Sequence, residues 1–153
     1  MSLRIKIEEK YKNAIKSKKT DETNAIRLIK SAIKNKDIEN RTKDTSGEID
    51  DQQILTLLQS LIKQRKDSIE SFQVASRDDL IVKEQLEIDL ISQFLPKQLS
   101  ELDTVNIIET IIKDQNFSSL KDMGTLMNIL KTNHAGSVNM SIAGKISKLL
   151  LSN

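Results

Sequence analysis

The segment Leu86-Glu-Ile-Asp-Leu-Ile-Ser-Gln-Phe-Leu-Pro-Lys-Gln-Leu-Ser-Glu101 organises the predicted fold, because it ends one helix and begins another. Pro96 is the only proline in the chain. A proline disfavours the α conformation of the residue before it, so Leu95 is a predicted helix end. Ser100 then follows as a predicted N-cap, with Asp103 three residues later to complete a capping box. The segment therefore predicts a hinge between two helical halves.

Charged residues interrupt the apolar faces of the two helices that precede this segment. The predicted third helix begins at an Asp50 N-cap and carries Arg65 in the middle of its apolar face. The predicted fourth helix, capped by Ser76, carries Glu84 and Glu87 within its apolar face. Since burying an isolated charge is costly, we predict an ion pair from Arg65 to Glu87 or to Glu84. The alternative is an arginine that waits for a phosphate or carboxylate substrate.

Helical periodicity runs through the whole chain, and no segment predicts a strand. Seven helices are expected, and their starts are signalled by Thr20, Asp50, Ser76, Ser100, Ser119 and Asn139, with the first helix at Leu3. The sequence thus predicts an all-α protein with one domain at residues 1–95 and a second at residues 96–153. In the sixth helix Gly124 lies beside the apolar stripe, where a glycine is unfavourable, so we expect another backbone to approach it.

The composition excludes several classes of function. The chain has no cysteine, which rules out disulfides, thiolate nucleophiles and thiolate metal sites. Its one histidine, His134, is predicted in an exposed loop without the acidic spacing of a zinc site, so neither a metal nor a cofactor is expected. No apolar run approaches the ~20 residues that span a membrane, and no signal sequence is recognised. A cytoplasmic protein without a membrane partner is predicted.

The net charge of +2 is unevenly distributed. Residues 1–43 contain 13 Lys and Arg against 6 Asp and Glu, residues 44–116 contain 7 against 15, and residues 117–153 contain 4 against 1. A basic stripe on the predicted second helix lies within an arc of about 60° and consists of Arg27, Lys30, Lys34 and Arg41. Such a stripe can follow a phosphate backbone, and the alternative is an ordinary solvated face.

Four segments, in this order and spacing, are typical of one known family. They are Arg27-Leu-Ile-Lys-Ser-Ala-Ile-Lys-Asn35, Ile62-Lys-Gln-Arg-Lys-Asp-Ser-Ile-Glu-Ser-Phe72, the whole hinge segment, and Asp122-Met-Gly-Thr-Leu-Met127. Together they resemble the YqeY-like family over nearly the whole chain. The part from residue 96 is also similar to the tail domain of the B subunit of the glutamine-dependent transfer-RNA amidotransferase. The resemblance implies an elongated N-terminal helical domain followed by a compact C-terminal three-helix bundle.

The resemblance also implies a function in contact with transfer RNA. The amidotransferase tail domain helps engage transfer RNA, and the family is associated with carbon–nitrogen ligase activity that uses glutamine as amide donor. Catalysis by this chain alone is not expected, because it lacks both a cysteine nucleophile and a Gly-x-x-x-x-Gly-Lys-Ser/Thr phosphate loop. Besides Arg27, Lys30, Lys34 and Arg41, the candidate RNA-binding residues are Lys121, Lys131, His134, Lys145 and Lys148.

Three functions remain open at this point. The first is a non-catalytic transfer-RNA-binding or accessory module, for which the 3% aromatic content favours backbone and shape contacts over base stacking. The second is a protein adaptor whose acidic middle or long N-terminal helices dock an amidotransferase or synthetase-type partner. The third is a true glutamine-dependent ligase.

Overall fold

The computed structural model describes residues 2–42 and 46–152, and within them most residues are helical and no strand is formed. The helices are α1 (Leu3–Lys16), α2 (Thr20–Glu39), α3 (Asp51–Val74), α4 (Asp78–Ser92), α5 (Glu101–Gln115), α6 (Met123–Asn133) and α7 (Met140–Ser152). A short 3₁₀ helix, Leu120–Asp122, leads directly into α6. The predicted all-α class is confirmed. The polar, glycine-containing sequence of residues 42–48 predicts a loop, and residues 43–45 of it lie outside the described residues.

Side-chain caps fix where several of these helices begin. At the start of α3, the Asp50 side chain accepts a hydrogen bond from the Gln53 backbone amide at 2.8 Å, and the Gln53 side-chain oxygen accepts one from the Asp50 backbone amide at 2.9 Å. Ser100 and Asp103 form the same reciprocal arrangement at the start of α5. The side chain of Asn139 accepts from the first backbone amides of α7. The predicted starts at these three positions are confirmed.

Two of the predicted boundaries are wrong. Ser76 does not cap α4, because it adopts a φ of 54° in the turn that ends α3, and α4 begins after Arg77. The α4 helix ends at Ser92, and the chain continues to Leu95 through a tight turn in which the Leu95 amide donates to the Ser92 carbonyl at 3.1 Å. The last helical residue, Ser92, therefore lies three residues before the predicted helix end at Leu95.

The described residues form two compact units, one ending at Leu95 and the other beginning at Pro96. In the first unit α3 packs along α4, and α1 along α2. Its fully buried side chains include Ile7, Ile26, Ile29, Ile54, Leu58 and Ile91. In the second unit α7 packs against α5 and α6 around a core of Ile108, Leu126, Leu130, Val138, Ala143 and Leu151.

Asp37 joins three separate segments of the first unit. Its carboxylate accepts two hydrogen bonds from the guanidinium of Arg4 in α1, at 2.6 and 3.0 Å. It also accepts one from the backbone amide of Ile49, which precedes α3, at 2.9 Å. Only 15% of the Asp37 side chain is exposed. These contacts hold the end of α2 against the start of α1 and the entry to α3.

Because of these contacts, we expect the stability of the first unit to fall in acid. Hydrogen bonding to Arg4, followed by that to the Ile49 amide, holds the pKa of the Asp37 carboxyl below its usual value. The stabilisation is therefore complete above about pH 4, the usual Asp pKa, and is lost as the pH falls through the lower folded-state value. In urea titrations from pH 7 to pH 2, Asp37→Asn is expected to be less stable than the native chain at neutral pH and to converge with it in acid. A difference that stays constant with pH would contradict this account.

Gly47 packs tightly against the last turn of α2. It has a φ of 81°, and an added Cβ would collide with the Asp37 carbonyl oxygen and lie 2.8 Å from the Arg41 amide nitrogen. Gly124 is the opposite case, because a Cβ there would meet nothing within 4 Å. The expectation that a backbone approaches Gly124 is therefore wrong, and the close approach is found at Gly47.

Alanine at these two glycines is expected to have effects of opposite sign. Gly47→Ala should lower the free energy of unfolding by about 2 kcal/mol or more, because it combines left-handed strain with a backbone clash. Gly124→Ala should raise it by up to about 1 kcal/mol, because alanine favours the helix and has room. Thermal unfolding of both variants measures the difference, and a stabilised Gly47→Ala would refute the packing described here.

Within the described ranges, no helix is both long enough and apolar enough to cross a membrane.

Candidate nucleic-acid interface

Two lysines occupy the outer face of α7. Lys145 and Lys148 are three residues apart, so they project from the same side of the helix. Both are exposed, and they lie on the side of the helix away from the buried Ala143. The inner face of α7 packs in the core of the second unit, so the backbone that carries the two lysines is held in place.

The surface around these lysines contains no acidic side chain from its own two helices. The last Asp or Glu of the sequence is Asp122, so α6 and α7 carry only basic charges. Lys131 is exposed in the last turn of α6, which packs against α7. We call Lys131, Lys145 and Lys148 the tail lysines. An anionic ligand approaching them meets no carboxylate from either helix.

Lys121 extends this basic surface along the 3₁₀ helix. That helix packs beside α7, and Lys121 is exposed on it. The neighbouring acid, Asp122, is half-buried and accepts hydrogen bonds from the backbone amides of Ser118 and Ser119 at 2.8 and 3.3 Å. Its negative charge is therefore directed at the backbone of the turn.

His134 differs from the tail lysines because it is part of the turn after α6. It lies in the loop that follows α6, as predicted, but it is half-buried at the C-cap of that helix and not exposed. Its backbone carbonyl accepts from the Ser137 amide at 3.0 Å. The Gln98 side chain and the Leu99 amide tie the same loop to the residues before α5, through Gly136 and Ser137. His134 therefore contributes first to the structure of this loop.

The stripe on α2 is less purely basic than its sequence indicates. Lys30 forms an ion pair with Glu8 of α1 at 2.8 Å, and its ammonium lies 4.1 Å from the centroid of the Tyr11 ring. A cavity of about 140 Å³ beside Lys34 is lined by both signs of charge, including Glu8 and Asp37. Arg27 and Lys34 are exposed on α2, whereas Arg41, predicted on the same helix, is exposed beyond its end at Glu39. The α1–α2 surface is thus a mixed-charge face with three outward cations.

Arg65 is bonded within the α3–α4 pair. Its Nε donates to Glu87 Oε2 at 2.8 Å, and its Nη1 donates to the Leu61 carbonyl at 3.0 Å. The side chains of Arg65 and Glu87 are only 13% and 12% exposed. Glu84 is half-buried one turn earlier and makes no ion pair within the described part of the chain. These contacts favour a structural role for Arg65 over the binding of a phosphate or carboxylate substrate.

No acid or histidine cluster suited to a metal ion occurs in residues 2–42 and 46–152. The helices α6 and α7 carry three lysines and no acidic side chain, and such a surface attracts a polyanion.

Comparisons with known proteins match most of the chain. A family model described as Yqey-like protein matches residues 4–151. Altered inheritance of mitochondria protein 41, mitochondrial, from Saccharomyces cerevisiae is 36% identical over 111 residues, which cover 72% of this chain and 54% of that protein. The proteins of the same name from Lachancea thermotolerans and Eremothecium gossypii are 35% identical over 122 residues and 34% over 89 residues.

These matches cover 76% of this chain and 63% of the Lachancea protein, and 58% and 46% for Eremothecium. The chain therefore spans about half the length of the curated relatives it matches. Their names place those relatives in mitochondria. The cytoplasmic location predicted for this chain stays a prediction.

Proposed function

This chain belongs to the YqeY-like family, and on that premise we propose that it is a non-catalytic module that binds transfer RNA through its second unit. The observation that carries the proposal is the absence of any acidic residue in α6 and α7, together with three lysines on them. Proteins that bind RNA backbones obtain most of their affinity from such cations, because neutralising phosphates releases condensed counterions.

The proposed mode of binding is contact with the phosphate backbone and with the shape of a folded RNA. Base stacking requires exposed aromatic rings. The only aromatic residue after Pro96 is Phe117, which is half-buried against the core of the second unit. Double-stranded RNA is recognised mainly through backbone and shape, which fits exposed lysines carried on packed helices. The proposal assigns no catalytic step to the chain, because backbone binding requires cations and no nucleophile.

An accessory role is the natural context for such a module. We propose a partner protein because the sequence of the second unit resembles an amidotransferase tail domain. We propose that a chain holding transfer RNA in this way acts beside an amidotransferase or a synthetase-type protein, which supplies any carbon–nitrogen ligase chemistry. The RNA-binding step is the part that can be tested on the isolated chain.

The variant Lys145→Glu/Lys148→Glu tests the proposed surface. It is expected to weaken transfer-RNA binding by about tenfold or more at low salt, because it removes two phosphate contacts and adds repulsion. Fluorescence anisotropy with labelled transfer RNA measures the change. The matched control is Lys63→Glu/Lys66→Glu, which makes the same charge change at exposed positions of α3. Equal losses of affinity in both variants would show that binding depends only on net charge. Unchanged affinity of Lys145→Glu/Lys148→Glu would contradict the proposed surface.

A further inference from the structure

A groove lies between the first turn of α2 and the C-terminal part of α4. It encloses about 420 Å³ and is lined on the α2 side by residues 19–22. Its α4 side contains Leu86, Asp89, Leu90 and Gln93. Both walls of this α2–α4 groove belong to the first unit, whereas the tail lysines belong to the second.

An apolar stripe leads out of the core along this side of α4. Val82, Leu86 and Leu90 are spaced four residues apart, which places them along one edge of the helix. Leu90 is 3% exposed, Leu86 is 41% exposed and Val82 is 66% exposed. The stripe therefore begins in the core, passes through the groove and continues on the surface over about 12 Å of helix axis. Leu86 is therefore partly uncovered and Val82 largely uncovered.

The charges at the groove favour a cationic partner. Asp21 and Asp89 are exposed on opposite walls, whereas Glu22 lies 3.9 Å from the ammonium of Lys19. The last turn of α4 contains no basic residue to offset the negative end of its helix dipole, and Asp89 adds to that negative charge. An apolar stripe beside two such carboxylates is complementary to an apolar edge flanked by Lys or Arg.

We propose that the α2–α4 groove docks an amphipathic helix of a partner protein. The apolar edge of that helix lies along Leu86 and Val82, and its Lys or Arg side chains reach Asp21 and Asp89. A helix is the matching shape, because a ridge of side chains at four-residue spacing packs into the groove of another helix. About two turns of the partner cover the exposed stripe. This docking is independent of RNA binding, since it uses a different unit and the opposite charge.

The test uses a synthetic helical peptide with Leu at positions i, i+4 and i+7 and Lys beside them, titrated into the full chain at near-physiological salt. One control peptide replaces each Lys with Glu, and a second replaces each Leu with Ser. The Leu/Lys peptide is expected to bind, and both control peptides are expected to bind about tenfold more weakly or not at all. Equal binding of the Glu peptide would overturn the proposal.

Variants of the chain locate the site. Val82→Ser/Leu86→Ser is expected to weaken the Leu/Lys peptide by about tenfold or more, because it removes the apolar contact. Leu149→Ser is the matched control, since Leu149 is 69% exposed in the other unit, and it should bind as the native chain does. Circular dichroism establishes that both variants are folded. Unchanged binding by Val82→Ser/Leu86→Ser would overturn the proposal, and so would self-association of the native chain that this variant abolishes.

Discussion

Glu87→Ala is expected to lower the free energy of unfolding by about 3 kcal/mol. The change leaves the Arg65 guanidinium nearly buried between α3 and α4 without its carboxylate, and an uncompensated buried charge typically costs 3–5 kcal/mol. The lower end applies because 13% of the Arg65 side chain still reaches solvent. Urea unfolding followed by circular dichroism measures the loss.

Two further variants separate the buried charge from the pair itself. Arg65→Met/Glu87→Met replaces both partners with apolar side chains and is expected to lose far less than Glu87→Ala, because no charge remains buried. The exposed pair of Arg77 and Asp79, 3.1 Å apart at the start of α4, is the matched control. Asp79→Ala should change stability by less than about 1 kcal/mol. Equal losses for Glu87→Ala and Asp79→Ala would contradict the role given to Arg65.

Leu126→Ala is expected to destabilise the second unit by about 3 kcal/mol. Leu126 is fully buried in a core formed by α5, α6 and α7, and a leucine-to-alanine change in a core costs 2–5 kcal/mol. A unit of this size rarely has more than about 3–5 kcal/mol in total, so this single change should remove most of its stability. Transfer-RNA binding should fall in parallel, because the tail lysines would lose their support.

The control for this prediction lies in the same unit. Leu149→Ala removes the same atoms from a side chain that is 69% exposed, and it should change stability by less than about 0.5 kcal/mol. Amide hydrogen exchange resolves the two units separately and shows whether protection is lost in α5 to α7. Retained protection in Leu126→Ala would show that the core of the second unit is not the one described.

Local signals in the sequence predicted the fold well. A capping box requires only two residues three positions apart, so Asp50 with Gln53 and Ser100 with Asp103 are visible in the chain itself. Arg65 can also be recognised in the sequence, because a charge within an apolar stripe requires a partner. The next helix offers two acids as partners, Glu84 and Glu87. The sequence left open which acid bonds, because that depends on the register of α3 against α4.

Contacts between distant segments were not predicted. Asp37 bonds to residues 33 and 12 positions away, and nothing near it in sequence marks it as a junction. The sequence around Gly47 predicts only a polar loop. The close approach of Gly47 to α2 depends on the same contacts between distant segments. Lys30 was predicted in a basic stripe, but its charge is offset by Glu8 on α1. Such pairings depend on how α1 lies along α2, and helical periodicity does not contain that information.

The most direct test of the RNA-binding account is the salt dependence of transfer-RNA binding to the full native chain. A surface on which about three lysines contact phosphates predicts that log K falls linearly with log salt, with a slope near −2 to −3. The same measurement on Lys145→Glu/Lys148→Glu should give weaker binding and a shallower slope. No binding to the native chain even at low salt, or binding that is insensitive to salt, would contradict the account.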